Sequence, residues 1–169
     1  NSEDDSVIDV RAEATSVANA LSDVGSYATV ASGASDNNYT FSYVNGALLV
    51  TKANILVTAD TATRSYGSAD PAFTATYTGF KNAQDVSVIN TLATGSSNAS
   101  ATSAVGTYSV NMAGADDNNY SFTYASGALN VTKATLIAKA NDASRKEGQA
   151  NPSLSVTYTG FKNGENESV

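Results

Sequence analysis

The 169-residue sequence has no cysteine, no histidine and no tryptophan, only one methionine, and two prolines. Without cysteine there are no disulfides and no thiolate metal sites. Without histidine there is no imidazole to serve as the base that activates a serine nucleophile. Charge is also scarce, at 15% Asp, Glu, Lys and Arg, and it is one-sided: the net charge is −7 and the isoelectric point about 4.3. An acidic chain is not drawn to a phosphate backbone or an anionic membrane surface, so nucleic-acid binding is not expected. No apolar run approaches the length that spans a bilayer as a helix. The opening stretch, Asn1 to Asp5, is polar and acidic and carries no signal-peptide pattern, which reads as the interior of a longer precursor. Lack of cysteine also fits a large exported protein that crosses a membrane unfolded.

Ser, Thr, Asn, Gly and small apolar residues dominate what remains. Thr, Val and Tyr suit a pleated surface, and Asn and Gly suit turns. The strongest signal is a repeat. Shifted by 81 residues, the sequence matches itself without a gap, and about half of the 88 comparable pairs are identical. Biased composition alone gives roughly one in fifteen. Asp36-Asn37-Asn38-Tyr39 falls on Asp117-Asn118-Asn119-Tyr120, and Val24-Gly25-Ser26-Tyr27 on Val105-Gly106-Thr107-Tyr108. Tyr77-Thr78-Gly79-Phe80-Lys81-Asn82 falls on Tyr158-Thr159-Gly160-Phe161-Lys162-Asn163. We take Lys52 to Thr132 as one complete repeat. Residues 1–51 are then the C-terminal half of a preceding repeat, and residues 133–169 the N-terminal half of the next.

Within the repeat, Ile55, Val57 and Ala59 alternate with more polar neighbours, as in a half-buried strand. Arg64 to Pro71 reads as a turn, Phe73, Ala75 and Tyr77 as a second strand ended by Gly79, and Lys81 to Val88 as a loop or short helical turn. Ile89 to Ser103 holds one or two weak strands, and Thr107 to Met112 a further strand after Gly106. The spacing then predicts a hairpin. Tyr120, Phe122 and Tyr124 lie on one face, Ser126-Gly127 turns, and Leu129 and Val131 return. Its counterpart is Tyr39, Phe41 and Tyr43, then Asn45-Gly46, then Leu48 and Val50. The aromatic strand is expected to supply much of the core. Val131 to Thr135 contains no Gly or Pro, so a strand is expected to run straight from one repeat into the next, giving a rod-like array. The fold class is all-β: tandem small β-sandwich (Ig-like) repeats, with a β-grasp-like arrangement carrying a short helix at residues 81–88 as the alternative.

These motifs resemble the MBG domain (YGX type), found in tandem in large bacterial extracellular and adhesin-like proteins. The residues that carry the likeness are Lys52-Ala53 and the strand after them, Tyr66-Gly67, Asp70-Pro71, Tyr77 to Asn82, Val105 to Tyr108, and Asn118-Asn119-Tyr120 with Gly127 to Thr132. In the last piece the tyrosine before glycine is replaced by Glu147. The resemblance implies a non-catalytic extracellular repeat and lends no catalytic residue.

Candidate chemistry is sparse. No catalytic or cofactor-binding residues are assigned. Asp36, Asp116 and Asp117 sit in oxygen-rich loops and are weak calcium candidates. A turn capped by its own carboxylate accounts for them better. The nine tyrosines could form a glycan platform, with Tyr66 the best exposed candidate, although most fall at strand-core positions. Lys52 and Lys133 open strands in the way cross-linking lysines do, but a cross-link also needs a buried acid, and the central repeat has no Glu, which leaves only Asp60, Asp70, Asp85, Asp116 or Asp117. Asn38, Asn98, Asn119, Asn130 and Asn166 begin Asn-x-Ser/Thr triplets. The expected function is a structural stalk or spacer in a secreted or cell-surface, adhesin-like fibrous protein. The alternatives are an extracellular filament subunit completed head-to-tail by its half-domains, and a glycan-binding module. The expected partners are neighbouring repeats of the same or an adjacent chain, including a head-to-tail homopolymer. Neither nucleic acid nor membrane insertion is expected.

Overall fold

A computed structural model describes residues 4–168. The first residues of the acidic opening stretch, Asn1 to Glu3, therefore lie outside the described residues. The chain is all-β. Its strands are β1 (Glu13–Ser16), β2 (Gly25–Ser32), β3 (Gly46–Val50), β4 (Ala53–Ala59), β5 (Ala62–Ser65), β6 (Ala75–Thr78), β7 (Thr94–Ser97), β8 (Gly106–Ala113), β9 (Tyr120–Ala125), β10 (Gly127–Thr132), β11 (Ile137–Ala140) and β12 (Val156–Thr159). The only helical elements among the described residues are two 3-10 turns, Asp5–Val7 and Val86–Val88. The helical segment of a β-grasp arrangement thus shrinks to one turn of three residues.

The sheets are β1-β2-β3, β5-β10-β8-β7, β6-β4-β9 and β11-β12. In the four-stranded sheet β10 pairs antiparallel with β8 and parallel with β5. The chain forms two compact units. The first comprises Asn1–Ile55, Thr78–Leu92 and Ala115–Thr123, and the second Leu56–Tyr77, Ala93–Gly114 and Tyr124–Val169. The first unit buries Ile55, Ile89, Tyr120 and Asp117; the second buries Val57, Ala59, Val110, Met112, Leu129, Val131 and Arg64. Period-2 burial along β4 (Ile55, Val57, Ala59), β8 (Val110, Met112) and β10 (Leu129, Val131) puts alternate side chains inward, as the pleat requires. The largest fully buried side chains among the described residues are Ile55, Leu129, Val57 and Val110. The core is therefore aliphatic. Among the described residues Tyr120 is the one buried aromatic, packed edge-on against Phe80 with centroids 5.8 Å apart, whereas Phe122 is half-buried and Tyr124 exposed.

Local geometry repeats with the sequence. β1, β2 and β3 stand 81 residues before β7, β8 and β10, and β12 stands 81 after β6. Registers repeat too: Gly25 pairs Val50 as Gly106 pairs Val131, and Glu13 pairs Ser32 as Thr94 pairs Ala113. Each 3-10 turn is capped alike, by Asp4 accepting from Ser6 N and by Asp85 accepting from Ser87 N.

The expected hairpin is not one. β9 and β10 are separated only by Ser126, yet they lie in different sheets. β4 and β5 switch sheets in the same way across Asp60 and Thr61. Neither Ser126-Gly127 nor Asn45-Gly46 is a primed turn: none of these residues has positive φ. Gly127 is small for another reason. A Cβ there would lie 2.4 Å from the Ala59 carbonyl oxygen, so the two crossing segments approach too closely for a side chain. Other boundaries also shift. Arg64 and Ser65 belong to β5 rather than to the turn, and Phe73 precedes β6. The strand does not run unbroken through the junctions. Thr51 and Lys52 interrupt it after β3, and residues 133–136 after β10.

Two counterparts fail to form. Residues 39–44, matching β9, and residues 143–146, matching β5, have no strand structure. In the central repeat β9 pairs with β4, and β5 with β10. Among the described residues no strand pairs with residues 39–44 as β4 pairs with β9, and none pairs with residues 143–146 as β10 pairs with β5. A lone extended segment that is not built into a sheet is at best marginal as a strand in water.

Candidate functional site

The acidic loops were the sequence's only metal candidates. In each, one carboxylate closes a turn on its own backbone. Asp36 Oδ1 accepts from Asn38 N at 2.7 Å and Tyr39 N at 3.0 Å. Asp117 Oδ1 accepts from Asn119 N at 2.8 Å and Tyr120 N at 3.0 Å. Asp116 contributes its backbone to a bridge with Thr91. These aspartates are fixed by local turn chemistry, and among the described residues no three acidic side chains gather where a cation could sit. Beside Asp117, Lys52 Nζ donates to its carbonyl oxygen at 2.7 Å, which ties the start of β4 to this loop.

Tyr66 is half-buried and its hydroxyl donates to Glu165 Oε1, so it is not the exposed ring expected from sequence. The Gly-x-Tyr motif has a structural role: Tyr27 Oη donates to the Asp23 carbonyl and Tyr108 Oη to the Ala104 carbonyl, both at 2.8 Å. Tyr120 Oη accepts from Lys81 N and donates to Gln84, pinning the loop after β6. Asn119, which opens an Asn-x-Ser triplet, is engaged through both ends of its amide: Oδ1 accepts from Val24 N and Nδ2 donates to Asp23.

One group escaped the sequence reading. Arg64 is buried, and its guanidinium pairs with Asp70 at 2.5 Å while also donating to the Ser65 and Ser100 carbonyls. A buried guanidinium needs this full set of acceptors. The signal was present as spacing: Arg64 and Asp70 recur as Arg145 and Asn151, where Nε donates to Asn151 Oδ1 at 2.7 Å. The clamp reads as structural, because the guanidinium nitrogens all donate to groups of the fold itself.

Two of the clefts are counterparts. One, of about 170 Å³, lies in the first unit between Val24, Ala53, Lys81 and Gln84. The other, of about 230 Å³, lies in the second unit between Val105, Ala134, Lys162 and Glu165. Those four positions differ by 81 residues throughout, so the clefts follow from the repeat. Beside each, a left-handed asparagine makes the same bond: Asn82 Nδ2 donates to the Ala20 carbonyl at 3.1 Å, and Asn163 Nδ2 to the Ala101 carbonyl at 3.4 Å.

A protein whose repeating strands, caps and clefts all recur at one interval, with polar groups spent on its own backbone, belongs to the class of tandem all-β repeat proteins. The chain belongs to the MBG domain family of the YGX type, whose family model matches residues 1–49, 55–130 and 136–169. MBG repeats are a non-catalytic type of domain and occur in extracellular proteins in general. No curated protein and no solved structure matches the chain. No helix among the described residues is long and apolar enough to cross a membrane.

Proposed function

We propose that the chain is a length of stalk in a secreted or cell-surface, adhesin-like protein, in which MBG repeats in series hold a distal module away from its anchor. The repeat frame is residues 52–132, with parts of its neighbours on either side. The observation that supports this reading most is the recurring asparagine bond, Asn82 to Ala20 and Asn163 to Ala101. It ties each repeat to the one before it in the same way. Only a short linker stands between β3 and β4 and between β10 and β11. A short linker plus a fixed side-chain contact restricts bending, and identical contacts repeated along a chain give constant geometry per repeat.

Small-angle scattering tests this on the full chain and on chains lengthened by one, two and three extra copies of residues 52–132. A stalk adds a constant increment of maximum dimension per copy. Growth that falls off as the square root of copy number, the behaviour of flexibly joined beads, overturns the proposal. Replacing both asparagines by alanine is expected to shift the profile toward the flexible limit.

A further inference from the structure

We infer that the Tyr66-Gly67 pair is the surface by which one repeat docks the repeat that follows it, and that residue 66 decides which follower fits. This inference rests on the tandem order of the repeats and not on the stalk reading.

The docking element of the follower is a tight turn. Glu165 N donates to the Lys162 carbonyl at 2.9 Å, and Asn163 and Gly164 between them have φ of 52° and 78°. Two successive residues with positive φ make this a type I′ turn. It presents three groups to the preceding repeat. The stem of Lys162 lies against Gly67: a Cβ at Gly67 would collide with Lys162 Cβ and stand 2.6 Å from its Cγ. Asn163 Nδ2 donates to the Ala101 carbonyl, which also accepts from Gly67 N at 3.2 Å. Glu165 accepts from the Tyr66 hydroxyl. The turn recurs 81 residues earlier, where Gln84 N donates to the Lys81 carbonyl at 3.0 Å and Asn82 donates to Ala20. There Ala83 stands in the place of Gly164, at φ 57°. Alanine is uncommon in the left-handed region, so the turn is kept against local preference. What the two turns share is the asparagine bond to the preceding repeat.

The fourth turn position sets the match. It offers an oxygen in both cases: Gln84 accepts from the Tyr120 hydroxyl of its own repeat, and Glu165 from Tyr66 of the preceding one. Amide and carboxylate oxygens have lone pairs enough for two hydroxyls, so one residue can hold both tyrosines. The Tyr66 hydroxyl is neutral and donates to Glu or Gln alike. Glu147 occupies the same position in the next repeat. An ionised carboxylate only accepts. Set against Glu it meets a like charge, and set against Gln it takes the amide N–H. A Tyr-Gly repeat therefore fits a follower with Glu or Gln at the fourth turn position, and a Glu-Gly repeat fits one with Gln. The pair restricts the order in which repeats can be joined.

Amide hydrogen exchange on the full chain tests this. It is read at the N–H of residue 165, with the Gln84 N–H as internal control because it closes the same turn against another neighbour. Tyr66→Glu is expected to raise exchange at residue 165 by roughly fivefold to tenfold, the worth of one hydrogen bond. Adding Glu165→Gln to it is expected to restore protection, and Glu165→Gln alone to leave protection unchanged. Tyr66→Phe keeps the ring and loses only the hydroxyl. It is expected to raise exchange in the wild-type background and to add nothing once Glu165→Ala is present. Exchange at Gln84 is expected to stay the same throughout. The inference is overturned by unchanged exchange in Tyr66→Glu, by a double variant no better protected than Tyr66→Glu alone, or by losses that spread equally to Gln84. Scattering that shows flexibly joined beads while these exchange results hold overturns the stalk and leaves the docking surface in place.

Discussion

At the scale of the residue, identical amino acids at matching positions do different work. Gly127 and Gly46 are the same glycine one repeat apart. A Cβ at Gly127 meets the Ala59 carbonyl at 2.4 Å and Asp60 O at 2.9 Å, while at Gly46 it meets only the movable Thr29 hydroxyl at 2.6 Å. Gly127→Ala is therefore expected to cost about 1–3 kcal/mol, the usual penalty for forced overpacking, and Gly46→Ala much less. Thermal melts of the two variants check this, and equal losses would contradict the close-approach explanation. The caps are alike by contrast. Hydrogen bonds donated by Ser87, first from its side chain and then from its backbone N–H, hold the Asp85 carboxyl below its ordinary value of 3.8, and Ser6 acts likewise on Asp4. A carboxyl depressed in the folded state adds stability that is fully present above the unfolded value and is lost as pH falls through the folded one. Wild type and Asp85→Ala should differ in melting temperature at neutral pH and converge in strong acid. A difference that persisted there would exclude the cap as its source.

At the scale of the element, the strand and its partner decide the outcome together. β3 and β10 share the sequence Gly-Ala-Leu and the same antiparallel neighbour register. Leu129 is fully buried and Leu48 is not. Leu129→Ala should destabilise by roughly 2–5 kcal/mol through lost transfer energy and a residual cavity. Leu48→Ala should cost less than about 1 kcal/mol, since little area is removed from water. Urea melts of both distinguish this from a core set by sequence alone. Legibility followed the same line. β4, β6 and β8 were readable from alternation, because Ile55, Val57, Ala59, Val110 and Met112 carry their own period. The hairpin was not, because alternation says which face a residue takes and nothing about which strand lies beside it. β9 and β10 read as neighbours in sequence and are neighbours in neither sheet. Aromatic content likewise misled: Tyr120, Phe122 and Tyr124 share a strand but only Tyr120 is buried.

At the scale of the whole molecule, the 81-residue interval came from the sequence alone. The recurrence of β1, β2 and β3 as β7, β8 and β10 follows from it. The all-β class followed from Thr, Val, Tyr, Asn and Gly in place of helix formers, and the want of histidine and cysteine removed the commonest catalytic and thiolate chemistries. Family membership rests on motifs spread along the chain, each of them visible before folding. Tertiary structure alone decided which edges are paired and which stay open. It sent β4 and β5, and β9 and β10, into different sheets, and it drew Arg64, Asp70 and Ser100 into one clamp. It also left Leu48 and Leu136 in solvent where Leu129 and Ile55 are enclosed. The physical reason is that hydrophobic periodicity is a property of a single segment, whereas strand pairing, burial and the satisfaction of a buried charge belong to segments far apart in the chain and exist only when both are present.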